Sequence, residues 1–389
     1  MAPESFPRIP VAAADLSGRE EAYVLDAVRS TWVSSTGVYL GRFEREFAER
    51  CETKTAIAVC NGTVALHLAL LGMDVRPGDE VLVPSLTYVA TANAVRYVGG
   101  EPVFVDVDPV TWCLDPDKLE AAVTRRTKGI VAVHLLGHPA DMDRINRLAA
   151  VHGLWVVEDA AEAVFAKYKG RPTGGLARAA TFSFFGNKVL TSGEGGAVTL
   201  NDEWLATRLR ALRGQGMDPD RRYYFPITGY NFRLTNLAAA LLCAQLERAD
   251  AILARRREIF EMYNRLLADV PGVRPRPVAP WAEHSPWLYS CTIDEAAYGA
   301  VRDELIAYLA DRGIETRPMF IPLHTLPPFR EGSWQRGEDL PETCRLGSTG
   351  IMLPTFNQMT DTEVARVSAG MTGLHRERSA RVFPVRKAA

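Results

Sequence analysis

Residues 55–107 read TAIAVCNGTVALHLALLGMDVRPGDEVLVPSLTYVATANAVRYVGGEPVFVDV, and they set the pattern for most of the chain. Short runs rich in β-branched residues (55–60, 80–85, 101–107) alternate with longer runs of helical composition (61–73, 87–99). Strands separated by helices of this length need crossover connections, which make neighbouring strands parallel and cover both faces of the sheet. The alternation continues through KLEAAVTRRT (118–127), GIVAVHLL (129–136), DMDRINRLAAVHG (141–153) and LWVVEDA (154–160). AATFSFF (179–185) and GAVTLND (196–202) follow. The predicted fold class is α/β, with a mainly parallel central sheet.

Outward from this block, Ser17–Ser30 reads as a helix capped by Ser17, with Glu20 as the capping-box partner. Asn236–Leu267 reads as one long helix, stopped by Pro271, Pro275, Pro277 and Pro280. A β-then-helix pattern resumes in WLYSCTI (287–293) and RDELIAYLADRG (302–313). The division expected is a large domain over residues 1–250 and a smaller α+β domain over 251–389, with the boundary between 250 and 275. The basic tail from Arg376 reads as a solvated end.

The chain has 389 residues, with 45 Lys+Arg against 47 Asp+Glu and 47% hydrophobic residues. This excludes bulk disorder, and the balance offers no basic face for nucleic acid or an anionic membrane. Any phosphate must therefore be held locally. Uncharged stretches such as Val81–Val95 fall short of the roughly 18 apolar residues that a membrane span needs. Met1–Pro10 has no apolar run of the secretory kind, so the expected location is cytoplasmic. The six cysteines are scattered without metal-ligand spacing, so neither a disulfide framework nor a metal site is expected, and Cys60 and Cys243 read as small hydrophobes.

The chemistry gathers at the carboxyl ends of predicted strands, where open α/β sheets bind ligands. Lys188 follows the apolar run 179–185 and precedes Gly193, Gly195 and Gly196. It is either a surface lysine beside a turn or a partly desolvated amine able to form a Schiff base with an aldehyde cofactor. Asp159 closes the strand LWVVED, where it is either a helix cap or the carboxylate that keeps a pyridine nitrogen protonated. Together the two suggest pyridoxal phosphate. Asn61-Gly62-Thr63 lies at a strand-to-helix junction suited to a phosphate, and Ser183 offers a hydroxyl beside it. Tyr88, at the next strand end, could stack on a planar ring. Glu162 is expected on the same helical face as Asp159, as a neighbour of the cofactor hydroxyl.

VEDAAEA (157–163), YKGRPTGG (168–175) and TFSFFGNKVLTSGEGGAVTLND (181–202) stand between NGTVALHLAL (61–70) and GYNFRLTN (229–236). In this order they resemble the DegT/DnrJ/EryC1/StrS family of sugar aminotransferases. The resemblance runs from about residue 8 to 370. It implies the aspartate aminotransferase fold and a cofactor cycling between pyridoxal 5'-phosphate and pyridoxamine 5'-phosphate. The substrates implied are L-glutamate and a nucleotide-linked keto sugar, and the assembly implied is a homodimer with shared active sites. Lys188 would be the Schiff-base lysine and proton shuttle, Asp159 the partner of the ring nitrogen, and Tyr88 the stacking ring. Gly62, Thr63 and Ser183 would hold the phosphate, with Asn231 reaching it from the other subunit. Glu162 departs from the glutamine common at its position. Three further segments, 30–37, 134–143 and 315–328, supply Ser35, His134, Arg317 and His324 as substrate-binding candidates. His324, set among prolines, reads equally as a turn histidine. Relatives that remove a sugar hydroxyl carry histidine where this chain has Lys188, and a purely regulatory role would not need Lys188, Asp159 and Ser183 intact.

Overall fold

The computed structural model describes residues 7–330 and 339–382, so the first six residues and the end of the basic tail lie outside the described residues. The central sheet comprises β1 (Thr55–Val59), β2 (Glu80–Pro84), β3 (Glu101–Val105), β4 (Thr127–Val133) and β5 (Trp155–Asp159). After a small hairpin of β6 (Lys167–Tyr168) and β7 (Arg171–Pro172), β8 (Ala179–Ser183) and β9 (Gly196–Leu200) complete it. Its order is β1-β9-β8-β5-β4-β2-β3. Pairings from β8 through β5, β4 and β2 to β3 are parallel, and β9 alone runs against both its neighbours. This is the mainly parallel α/β sheet expected, and its strands are buried almost throughout, as sheets covered on both faces must be.

Among the described residues, nine α-helices precede the second sheet: α1 (Glu20–Arg29), α2 (Val38–Arg50), α3 (Gly62–Gly72), α4 (Ala90–Tyr97), α5 (Pro116–Ala122), α6 (Met142–His152), α7 (Glu203–Arg213), α8 (Asn236–Glu247) and α9 (Ala249–Leu267). Side-chain caps fix several starts: Asn61 accepts from the Val64 N–H, Asp115 from Asp117, and Asp202 from Leu205. Aromatic packing seats α2 on the sheet. The Phe47 ring meets Phe182 at 4.9 Å and Phe184 at 5.3 Å, both edge-on. Because side chains alternate along a strand, the same register turns Ser183 to the opposite face.

Two helix expectations are corrected. α1 begins at Glu20 with no side-chain cap, because the Ser17 hydroxyl is held by Asp15 at 2.7 Å and Glu20 accepts from the Gly18 N–H instead. The helix expected over Asn236–Leu267 is two, divided at Arg248. There the guanidinium turns aside to Asp15 at 2.7 Å and Glu20 at 3.5 Å.

A second, antiparallel sheet joins β10 (Val273–Pro275), β12 (Tyr289–Ile293), β14 (Gly350–Leu353) and β13 (Arg317–Pro318), in that order. The short β11 (Ala282–Glu283) pairs with β6 of the hairpin. The core under this sheet takes Ile259 and Tyr263 from α9, whereas Ile252 and Leu253, about two turns earlier, belong to the core of the large sheet. Ile9 also packs in the second core, its N–H donating to the Gly313 carbonyl at 2.8 Å, so the chain's start crosses to the unit that its end builds. Among the described residues no helix is long and apolar enough to cross a membrane, and no cluster of metal-ligating residues occurs.

His138 ties the two units together. Its Nδ1–H donates to the Pro139 carbonyl at 2.7 Å, which leaves Nε2 to accept from the Ala279 N–H at 3.0 Å. Burial pulls the imidazole down to about 3, and does the same to His284. The unfolded chain therefore takes up protons below about 6.5 that the folded chain refuses, so stability falls as the pH drops through that window. Denaturant unfolding should show a lower midpoint at pH 5 than at pH 7. His138→Gln, which keeps an acceptor but cannot charge, should flatten that slope.

Candidate active site

A cavity of about 390 Å³ opens at the carboxyl ends of β1, β2, β5 and β8. Four strand ends deliver its chemistry: Asn61-Gly62-Thr63 after β1, Tyr88 after β2, Asp159 at the end of β5 and Ser183 at the end of β8. Lys188 enters from the tight turn after β8, where its N–H donates to the Phe185 carbonyl at 2.9 Å.

The Lys188 amine is enclosed, with its side chain 14% exposed. Nζ lies 3.6 Å from Glu162 Oε1 and 3.9 Å from the centre of the Trp287 ring. Trp287 is held there by its indole N–H, which donates to the Asn187 carbonyl at 2.8 Å. Burial pulls the Lys188 pKa down, while Glu162 and Asp159 oppose that shift and Arg317 adds to it. Burial likewise pushes Glu162 and Asp159 up. Each group leans toward its neutral form, with hydrogen bonds and the opposite charge pulling it back.

Asp159 is no helix cap. Its Oδ2 accepts from the Thr91 hydroxyl at 2.8 Å and its Oδ1 from the Ala161 N–H at 3.2 Å, which fix the carboxylate on the cavity wall. Glu162 follows in a turn rather than on a helix, so it reaches the cavity by a different route from the one expected. Its Oε2 accepts from the Leu136 N–H at 2.7 Å.

At the junction after β1, Gly62 and Thr63 in the first turn of α3 line the cavity, a placement that suits an anion. Gly62 is needed for this packing: a Cβ there would lie 2.6 Å from Ser183 Cβ. Tyr88, 59% exposed, stands at the mouth with its ring edge-on to Phe320 at 6.3 Å. Arg317, on β13, also lines the cavity. The residues fit pyridoxal phosphate: an anion cradle closed by Gly62 and Ser183, a buried carboxylate for a ring cation, and an enclosed amine for an aldehyde.

The remaining candidates stand elsewhere. His134 is fully buried, accepting from the Ala140 N–H on Nδ1 and donating from Nε2 to Glu158 at 3.0 Å. Glu158 also accepts the Leu176 and Ala177 N–H groups, so His134 is part of a buried hydrogen-bond network. The His324 Nδ1 bonds the Ser85 hydroxyl at 2.7 Å, and the residue does not line this cavity. The Ser35 hydroxyl accepts from Arg233 Nε at 3.0 Å, and neither Ser35 nor the exposed Asn231 lines the cavity of a single chain. Thr91, Trp287, Asn187 and Phe320 were not expected. Thr91 was within reach, one turn past Tyr88 on a helix opening at a strand end; Trp287 gave no local signal.

The fold and cavity define a pyridoxal-phosphate-dependent aminotransferase of the aspartate aminotransferase class. The chain belongs to the DegT/DnrJ/EryC1/StrS aminotransferase family, whose model matches residues 14–372. It is 49% identical to GDP-perosamine synthase of Caulobacter vibrioides, over 94% of this chain and 98% of that one. The GDP-perosamine synthase of Escherichia coli O157:H7 is 44% identical over 92% of this chain and 95% of its own. Among solved structures, DesI in the presence of its TDP-sugar product superposes with a TM-score of 0.89 at 34% identity, covering 96% of this chain and 95% of DesI. A PLP-form of the putative sugar aminotransferase Spr1654 from Streptococcus pneumoniae gives 0.89 at 28% identity, covering 96% and 100%.

Gly62→Ala should weaken pyridoxal phosphate binding about ten-fold or more, because Ser183 has to give way, while far-ultraviolet circular dichroism stays unchanged. Titrating the visible absorbance with added cofactor checks this.

Proposed function

We propose that the protein transfers the amino group of L-glutamate to the C4 ketone of GDP-4-keto-6-deoxymannose, forming GDP-perosamine. The observation that carries this reading is the 49% identity to a GDP-perosamine synthase across nearly the whole of both chains. TDP-sugar specificity rests on a structure that is only 34% identical.

Pyridoxal phosphate, when bound, supplies the electron sink that lets a proton leave the carbon bearing the amine. Lys188 Nζ removes that proton and returns it, and burial helps by favouring the neutral amine. Glu162, at 3.6 Å, keeps the charged amine within reach. Asp159, held by Thr91, keeps the ring nitrogen protonated. Trp287 shields Lys188 from water, which strengthens the charge interactions inside. Arg317 presents a guanidinium suited to paired carboxylate or diphosphate oxygens.

The working unit in this reading is a homodimer in which Asn231 of the partner subunit completes the phosphate cradle. In support, the segment 230–233 runs beside the end of β1, where the Cys60 N–H donates to the Phe232 carbonyl at 3.0 Å, yet leaves Asn231 exposed.

A panel of GDP- and dTDP-linked 4-keto and 3-keto sugars, each supplied with glutamate, tests the substrate. The expected result is amino sugar formation with a kcat/KM for the GDP-linked 4-keto sugar at least about ten-fold above the others. Preference for a dTDP-linked or 3-keto sugar would contradict the reading. Asp159→Asn should lower kcat by about 10²–10⁴-fold while the protein still retains pyridoxal phosphate.

A further inference from the structure

The segment after β10 docks on the turn His134–His138 through a run of polar contacts. The Ser285 N–H donates to the Gly137 carbonyl at 2.8 Å, beside the Ala279–His138 bond. The approach is so close that a Cβ on Gly137, whose φ is +88°, would fall 1.8 Å from the Ser285 carbonyl oxygen. Arg276 is the charged member of this segment. Its Nη1 donates to the Leu135 carbonyl at 2.7 Å and its Nη2 to the Leu136 carbonyl at 3.2 Å.

Those two carbonyls flank an unfavourable piece of backbone. Leu136 has φ 51° and ψ 28°, the left-handed region, while its side chain is fully buried. A residue with a Cβ does not rest there unaided, so the turn depends on what grips it. The conformation has one chemical result: it aims the Leu136 N–H at Glu162 Oε2, 2.7 Å away, while Oε1 of the same carboxylate faces Lys188.

We propose that Arg276 is a positioning residue for Lys188: by gripping Leu135 and Leu136 it fixes the N–H that keeps Glu162 ionised, and ionised Glu162 holds the Lys188 amine. The charged groups around this chain of contacts are consistent with it. Lys188 faces Glu162, Asp159 and Arg317; Glu162 faces Lys188 and Asp159; the Arg276 guanidinium faces Glu162, Cys113, His138 and His284. Burial pushes Glu162 toward its neutral form; the Lys188 charge and then the Leu136 N–H oppose this, and Glu162 in turn favours the charged guanidinium of Arg276. The carboxylate of Glu162 is thereby met on both oxygens.

The inference rests on Lys188 as the reacting amine but not on the identity of the sugar, and its test needs no substrate. In the full-length chain freed of cofactor, the rate at which acetic anhydride labels Lys188 is followed against pH by peptide mass spectrometry. Arg276→Met should lower the midpoint by about half a pH unit, so that labelling below the midpoint is roughly three-fold faster. Arg276→Lys, which keeps one donor and the charge, should restore most of the difference. Glu162→Gln should lower the midpoint as well, and adding Arg276→Met to it should change nothing more. A fall in melting temperature with an unmoved midpoint would mean that Arg276 only supports the fold, and would overturn the proposal. A raised midpoint, the mark of direct repulsion between guanidinium and ammonium, would overturn it too, as would an effect fully additive with Glu162→Gln. If Arg276→Met does not fold, the Arg276→Lys midpoint decides: a small fall, absent when Glu162→Gln is present, supports the proposal, and no fall contradicts it.

Discussion

The active site depends on an amine held out of water. A buried lysine leans toward its neutral form, and the proposed reaction asks the protein to keep it close enough to lose and regain a proton without surrendering it to solvent. Here Trp287 covers Nζ at 3.9 Å and Glu162 steadies it at 3.6 Å, while Asp159 lies near enough to favour its charge. The other features of the site can be followed from that requirement.

The parallel sheet provides the geometry. Its carboxyl ends present Thr63, Tyr88, Asp159 and Ser183 to one cavity because β1, β2, β5 and β8 all point the same way. The second sheet provides closure. Trp287 and Arg317 both come from beyond α9, so the enclosure of Lys188 exists only once the C-terminal unit has docked. The buried His138 and the Gly137–Ser285 contact show how intimate that docking is.

Strands alternating with helices were legible because each element is short, apolar and bounded by turn residues. Lys188, Asp159 and the Asn61–Thr63 junction were legible for a related reason: the end of a buried strand restricts where a polar side chain can go. His134 was not, since the same strand-end position can face inward, and the backbone hydrogen bond from Ala140 turns its ring toward Glu158. The break at Arg248 was hidden because it coincides with a long-range pair to Asp15, which no helical periodicity records. Trp287 was hidden for the same reason, its partner Asn187 lying on a distant segment. Ser35 and Asn231 came from resemblance, and the single chain leaves both outside the cavity.

The central claim, that Lys188 is the amine that joins the cofactor, is tested most directly by reducing the pyridoxal phosphate-loaded protein with borohydride and mapping its peptides by mass spectrometry. The pyridoxyl group is expected on the peptide carrying Lys188 and on no other. Its appearance on a different lysine, or its absence from a protein with a visible cofactor band, would contradict the account.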